Sequence, residues 1–127
     1  MTGSEPLRGK HILVVEDEFM LADDLKKTLQ GLGAIVIGPA PSVTSAQVLV
    51  ENTVAIDAAV LDVNLRDVMS YTVADALQKQ GVPFLFTTGY DKLAIPQHYV
   101  GVPRVHKPYG QEEVVERLLK LLSASTA

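Results

Sequence analysis

The sequence predicts an α/β protein, a doubly wound five-stranded parallel sheet with helices on both faces. Two observations predict it. Five short apolar runs recur along the chain, and segments of helical period separate most of them. The runs are nearly continuous in apolar character instead of alternating, which is the pattern of strands covered on both faces.

Residues 1–8 are polar and carry Gly3 and Pro6. They are expected to form a flexible tail ahead of a folded unit spanning 9–122, with 123–127 as a C-terminal tail. ILVV (Ile12 to Val15) is the first run and leads directly into acids. In FMLADDLKKTLQGLG, Leu21, Leu25, Leu29 and Leu32 recur at helical spacing, and Gly33 suits a helix C-terminus. AIVIG, at 34–38, is a second β-branched run closed by Pro39 and Pro41. Ser42 is placed to cap a helix holding Ala46, Val48, Leu49 and Val50.

AAVLDV is the third run, and the carboxylate of Asp62 stands at its end. After a polar loop, YTVADALQKQG predicts a short helix through Val73, Ala74 and Leu77. PFLFTTG is the fourth run, with Pro83 at its start, where proline is tolerated. Residues 91–102, DKLAIPQHYVGV, are broken by Pro96 and Gly101. An irregular segment or one short turn is expected there in place of a full fourth crossover helix. RVHKP is a short fifth run, and QEEVVERLLKLL closes the domain as a helix. On that helix Val114, Val115, Leu118, Leu119, Leu121 and Leu122 fill one broad arc, opposite Glu112, Glu113, Glu116, Arg117 and Lys120. Core packing explains the arc. Its width also leaves room for a partner, so a monomer or weak homodimer is expected.

Composition excludes several function classes. The chain has 127 residues, 47% of them apolar, and a net charge of −4. That suits one globular domain with a real core. No Lys/Arg stripe is present to attract a phosphate backbone, so no nucleic-acid partner is expected. The absence of cysteine excludes disulfides, thiolate zinc sites and cysteine catalysis. No apolar run approaches the roughly 18 residues of a membrane span, and the N-terminus has no apolar signal region. No membrane partner and a cytoplasmic location are therefore expected. No Gly-rich turn follows the first run, which argues against phosphate-loop and dinucleotide folds.

In an open α/β sheet, ligands bind outside the carboxyl ends of the strands. Glu16 and Asp17 follow the first run, and Asp62 ends the third. Thr88 ends the fourth run, followed by Gly89, and Lys107 ends the fifth, followed by Pro108. Parallel strands bring these ends to one edge. Carboxylate oxygens there suit a hard cation such as Mg²⁺. A carboxylate can attack phosphorus and form an aspartyl phosphate. Lys107 supplies a point charge and Thr88 a hydroxyl for phosphoryl oxygens, and Gly89 allows close backbone approach. Each feature alone has a plainer explanation. Acids at a helix start are favoured by the dipole, Asp62 could cap a loop, Thr88 is an ordinary strand residue, and a lone lysine is usually solvated. The information lies in their convergence, in the order acid, acid, hydroxyl, lysine.

In this set of motifs the chain resembles a response-regulator receiver domain from about Lys10 to Leu122. The matching motifs are VVEDE (Glu16, Asp17), VLDVNL (Asp62), FTTGY (Thr88) and HKPY (Lys107, Pro108). The resemblance implies a flavodoxin-like (CheY-like) sheet of order 2-1-3-4-5. It implies Asp62 as phosphoacceptor. It implies Mg²⁺ held by the acid pair Glu16 and Asp17, by Asp62 and by the backbone carbonyl of Asn64. It also implies a cis peptide between Lys107 and Pro108.

Two departures accompany it. The position three before the lysine, aromatic in many receivers, is Arg104. The fourth-run motif resembles the subfamily named for a Phe-Ala-Thr-Gly-x-Tyr-like (FAT-GUY) sequence, with Phe86, Thr87, Thr88, Gly89 and Tyr90 here and Thr87 in place of Ala. That subfamily comprises mostly single-domain alphaproteobacterial receivers acting with histidine kinases of HWE or related (HisKA_2) type, often in general stress signalling. Tyr90 is then either a replacement for the aromatic switch or a residue packed on the following loop.

The implied function is a two-component response regulator. It takes a phosphoryl group from a histidine kinase, or from a histidine phosphotransfer protein, onto Asp62. It assists its own phosphotransfer and dephosphorylation without being a classical enzyme, and it acts through protein contact or as a phosphate sink. His98 and His106 are not expected to be phosphorylated, and His11 is read as structural. The alternative is a pseudo-receiver that is never phosphorylated, which loss of an acid, the Thr or the Lys would favour. A phosphohydrolase resembling the haloacid dehalogenase class would need an acid where Asn64 stands.

Overall fold

Apolar runs of this kind bury themselves by pairing side by side and taking helices on both faces. The computed structural model describes residues 5–89 and 95–125. Along the chain it places β1 (His11–Val15), α1 (Phe19–Gly31), β2 (Ile35–Ala40), α2 (Val43–Asn52) and β3 (Ala58–Asp62). Then come β4 (Asn64–Leu65), β5 (Val68–Met69), α3 (Tyr71–Lys79), β6 (Phe84–Thr88), β7 (Arg104–His106) and α4 (Gln111–Ser125). The main sheet is parallel with order β2-β1-β3-β6-β7. With the small β4-β5 hairpin set aside, this is the expected order 2-1-3-4-5.

Alternation along each strand splits the core into two layers. Ile12, Val14, Ala58, Val60 and Leu85 face Leu25 and Leu29 of α1 and Val114 and Leu118 of α4. Leu13, Val15, Ala59, Leu61, Phe84 and Phe86 face Ala46 and Val50 of α2 and Val73, Ala74 and Leu77 of α3. Every residue of β3 and β6 is buried, which explains why those runs do not alternate in polarity. The apolar arc of α4 is core packing. Val114, Leu118 and Leu122 are buried, and Val115, Leu119 and Leu121 pack partly buried on the same layer.

Local chemistry sets the element ends. Ser42 caps α2 through a reciprocal box: the Ser45 amide donates to Ser42 Oγ at 3.1 Å, and the Ser42 amide donates to Ser45 Oγ at 3.2 Å. Strand β2 runs through Pro39 instead of stopping there. It is an edge strand, and its register slips between Leu13, paired with Ile37, and Val15, paired with Ala40. A proline is tolerated at such a bulge. Gly38 adjoins it with φ +97, and a Cβ there would lie 2.9 Å from the Val14 carbonyl oxygen, so only glycine fits.

Two boundaries need correction. Leu7, inside the expected 1–8 tail, is fully buried in the α1/α4 layer, and its amide donates to the Leu32 carbonyl at 2.9 Å. A single leucine in a polar stretch carries no period, so the sequence hid it. Helix α4 also extends to Ser125, beyond the expected end at 122. Leu7→Ala is expected to cost about 2–4 kcal/mol, read as a fall in the urea midpoint at unchanged slope. A loss below about 0.5 kcal/mol, the range of surface changes, would remove Leu7 from the core.

No fourth crossover helix appears among the described residues between β6 and β7. Residues 91–94 lie outside them, and 95–102 hold a single 3-10 turn, Gln97–Tyr99. One side chain anchors this irregular piece. Tyr99 is fully buried, stacks on Tyr71 at 5.8 Å between centroids, and meets Phe84 and Phe86 edge-on. Its hydroxyl donates to the Asp75 carboxylate and lies 3.2 Å from the Tyr71 carbonyl oxygen.

Candidate functional site

Parallel pairing carries the ends of β1, β3, β6 and β7 to one edge. Glu16, just past β1, and Asp62, the last residue of β3, are 4% and 3% exposed. Lys107, just past β7, reaches back between them. Its Nζ lies 2.8 Å from Asp62 Oδ2, 3.0 Å from Glu16 Oε1 and 3.2 Å from Glu18 Oε2. Oxygens of Glu16, Asp17 and Asp62 fall within 4.8 Å of one another.

Thr88 ends β6 as a buried residue, and its carbonyl accepts the Lys107 amide at 2.8 Å. Thr87, also buried, pairs in register with Asp62. Gly89 lines the opening beside Lys107. The Lys107–Pro108 peptide is cis.

The segment after Asp62 is more ordered than a polar loop. Strands β4 and β5 pair antiparallel through Arg66 (φ 52) and Asp67 (φ 68), both in the left-handed region. The Asn64 amide donates to Asp62 Oδ1 at 3.2 Å, and the Arg66 amide donates to Asp17 Oδ2 at 3.0 Å. The Asp67 amide donates to Asn64 Oδ1 at 2.8 Å, closing the turn. Buried Ser70 fixes the hairpin's base, its hydroxyl donating to the Asp62 carbonyl at 2.6 Å. Two-residue hairpins usually announce themselves with Asn-Gly or Asp-Gly. Arg-Asp carries no such signal, so neither the hairpin nor Ser70 was legible.

Burial dominates the electrostatics. It pushes the Glu16 carboxyl up to about 7. The Asp62 charge adds to the rise, and the Glu18 amide and Lys107 oppose it. Burial likewise raises Asp62, against the pull of Lys107 and the Asn64 amide. Burial disfavours the Lys107 ammonium, but its bonds and charge contacts with Asp62 and Glu16 outweigh that and raise it. Two buried acids thus share one ammonium. Hard oxygen donors crowded this closely fit a small divalent cation, which would offset their repulsion.

The remaining sequence candidates divide. Arg104 is half-buried on β7 opposite Phe86, near enough to the Tyr71 hydroxyl to bear on its ionisation. Tyr90 lies outside the described residues. His98 is exposed, 3.5 Å from Asp75 and tilted against Tyr99. His106 is exposed on β7, and His11 lies 3.4 Å from Asp57 at the start of β1, away from the acids. The contact of Glu18 with Lys107 was missed, although the third acid of VVEDE stood in view.

No family model matches the chain. The sensory transduction protein LytT of Bacillus anthracis is 32% identical over 114 residues, which cover 86% of this chain and 46% of LytT. The chain thus spans about half the length of the curated relatives it matches. Among solved structures, the BeF3-activated conformation of SdrG from Pseudomonas melonis Fr1 is 36% identical, with a TM-score of 0.71 over 88% of this chain and 95% of that one. The non-phosphorylated HemR receiver domain from Leptospira biflexa is 30% identical, with a TM-score of 0.75 over 90% of this chain and 94% of that one. Identity of 30–36% over most of the chain, on a superposable fold, makes the chain a member of the response-regulator receiver family.

Proposed function

We propose that the chain accepts a phosphoryl group on Asp62 from the phosphohistidine of a histidine kinase or histidine phosphotransfer protein. The observation that carries this reading is the buried Asp62 carboxylate held 2.8 Å from Lys107, with Glu16 and Asp17 beside it. One carboxylate oxygen forms the new O–P bond as the P–N bond breaks. The imidazole nitrogen keeps the electron pair and takes a proton from water. The Asn64 amide, donating to Oδ1, fixes the orientation of the nucleophile. Lys107 balances the buried charge before transfer and is within reach of phosphoryl oxygens after it. Thr88, at the adjacent strand end, is the hydroxyl we assign to another of those oxygens.

The side chains of Glu16, Asp17 and Asp62 and the backbone carbonyl of Asn64 are the groups that would hold Mg²⁺. When bound, the ion neutralises charge on the transferring group and among the acids. Beryllofluoride bound to a carboxylate oxygen is tetrahedral and resembles a phosphoryl group, and the BeF3-activated state of SdrG supports the same chemistry here. Output passes by protein contact or by draining phosphate from a shared relay, and the chain is not a classical enzyme. Membership in the FAT-GUY subfamily rests on FTTGY, and with it a kinase of HWE type and a place in stress signalling.

Incubation with Mg²⁺ and a small phosphodonor, followed by intact-mass measurement, tests this. A gain of one phosphoryl group that chelation of the metal abolishes is expected. A folded protein that gains no mass from small donors or from a phosphorylated histidine kinase would be a pseudo-receiver.

A further inference from the structure

Glu18 is an acid of the site that phosphoryl acceptance leaves unused. It is the N-cap residue of α1, yet its side chain makes no capping bond. Its Oε2 instead lies 3.2 Å from Lys107 Nζ. The carboxylate is 61% exposed, so it stands at the mouth of the site, with Glu16 and Asp62 buried beneath. It is not among the acids close enough to share an ion. Asp17 and Asp67 line the same opening with Arg66 and Lys107. The ammonium of Lys107 is already paired at 2.8 Å with Asp62 and 3.0 Å with Glu16. Glu18 therefore adds negative charge to the entrance that no other function of the site requires.

We propose that Glu18 is a specificity-determining residue: its carboxylate, set beside Lys107 at the entrance, selects against small, highly charged phosphodonors. The inference rests on the phosphoacceptor reading. A like charge at the mouth of a cleft lowers the local concentration of an anionic donor. The effect grows with donor charge and is screened by salt. A phosphohistidine carried on a protein brings docking contacts of its own, which offset this repulsion. The donor class favoured is thus protein phosphohistidine over free acyl phosphates.

The test compares wild type with Glu18→Gln, both with Mg²⁺, by rate of phosphoryl mass gain. One donor is acetyl phosphate, a dianion, and the other is phosphoramidate, a net monoanion near neutral pH. Glutamine keeps the size and a hydrogen-bonding oxygen for Lys107. At low ionic strength the variant is expected to react about threefold faster with acetyl phosphate and less than about twofold faster with phosphoramidate. Both gains should vanish near 1 M salt, where the screening length is about 3 Å. A gain equal for both donors, or one that survives high salt, would overturn the inference and assign Glu18 to tethering Lys107. A phosphorylated wild type with no gain in the variant would sink the inference alone. A wild type that no donor phosphorylates, kinase included, would sink the phosphoacceptor reading beneath it.

Discussion

Asp62→Asn is expected to abolish phosphoryl uptake and leave the fold standing. The carboxamide has almost the shape of the carboxylate but a single acceptor oxygen, so it can keep the Asn64 amide or Lys107 but not both, while the Ser70 bond to the residue-62 carbonyl is untouched. What would be lost is the proposed nucleophile, because an amide oxygen carries no full charge to attack phosphorus. Lys107 keeps Glu16 at 3.0 Å and Glu18 at 3.2 Å, so no buried charge is left unpaired. Stability is expected to change by less than about 1 kcal/mol, since the removed charge was itself costly to bury. Uptake is expected to fall at least roughly a hundredfold with any donor, as for loss of an essential nucleophile. Intact mass with Mg²⁺ and donor, beside a thermal melt, reads both quantities. A folded Asn variant that gains the same phosphoryl mass would move the acceptor elsewhere, first to Glu16 or Asp17.

The strand ends explain why so much was legible. A sheet buried on both faces leaves its carboxyl edge as the place where polar side chains can converge. Glu16 and Asp62 close apolar runs at that edge, Thr88 ends β6 and Lys107 follows β7. Periodicity located the runs, and parallel pairing did the rest. Features without period or turn chemistry were hidden. Leu7 is one leucine in a polar segment. Arg66-Asp67 makes a hairpin without the residues that usually specify one. Pro39 marked an end at which β2 does not stop, because an edge strand with a bulge tolerates it. In the sequence Tyr99 stands in a broken segment without period, although its burial among Tyr71, Phe84 and Phe86 is what holds that segment to the core. Pairwise contacts such as Glu18 with Lys107 join residues far apart in sequence and need coordinates.

Lys107→Met tests the charge balance of the site, and its effect should depend on pH in a definite direction. Methionine fills the stem of the lysine but leaves Glu16 and Asp62 buried without their ammonium. Removing one partner of a buried pair costs about 3–5 kcal/mol. Lys107 is 17% exposed and the acids can take up protons, so about 2–3 kcal/mol is expected near pH 8. In the wild type, Glu16 already has its native pKa raised from 4.5 to about 7. Across that window the folded state holds a proton that the unfolded state releases, so this group's contribution to stability is lost as pH rises. Without Lys107, which lowers the pKa of both acids, their native values climb further and the window extends upward. Near pH 5 both acids can be protonated and the variant should approach wild type, and near pH 8 the gap should be widest. Mg²⁺ should close part of the gap near pH 8, since the oxygens assigned to it remain. Urea midpoints at the two pH values, with and without Mg²⁺, decide it. A penalty equal at both, or larger near pH 5, would show that Lys107 stabilises the fold through its packing and not through the charges of Glu16 and Asp62.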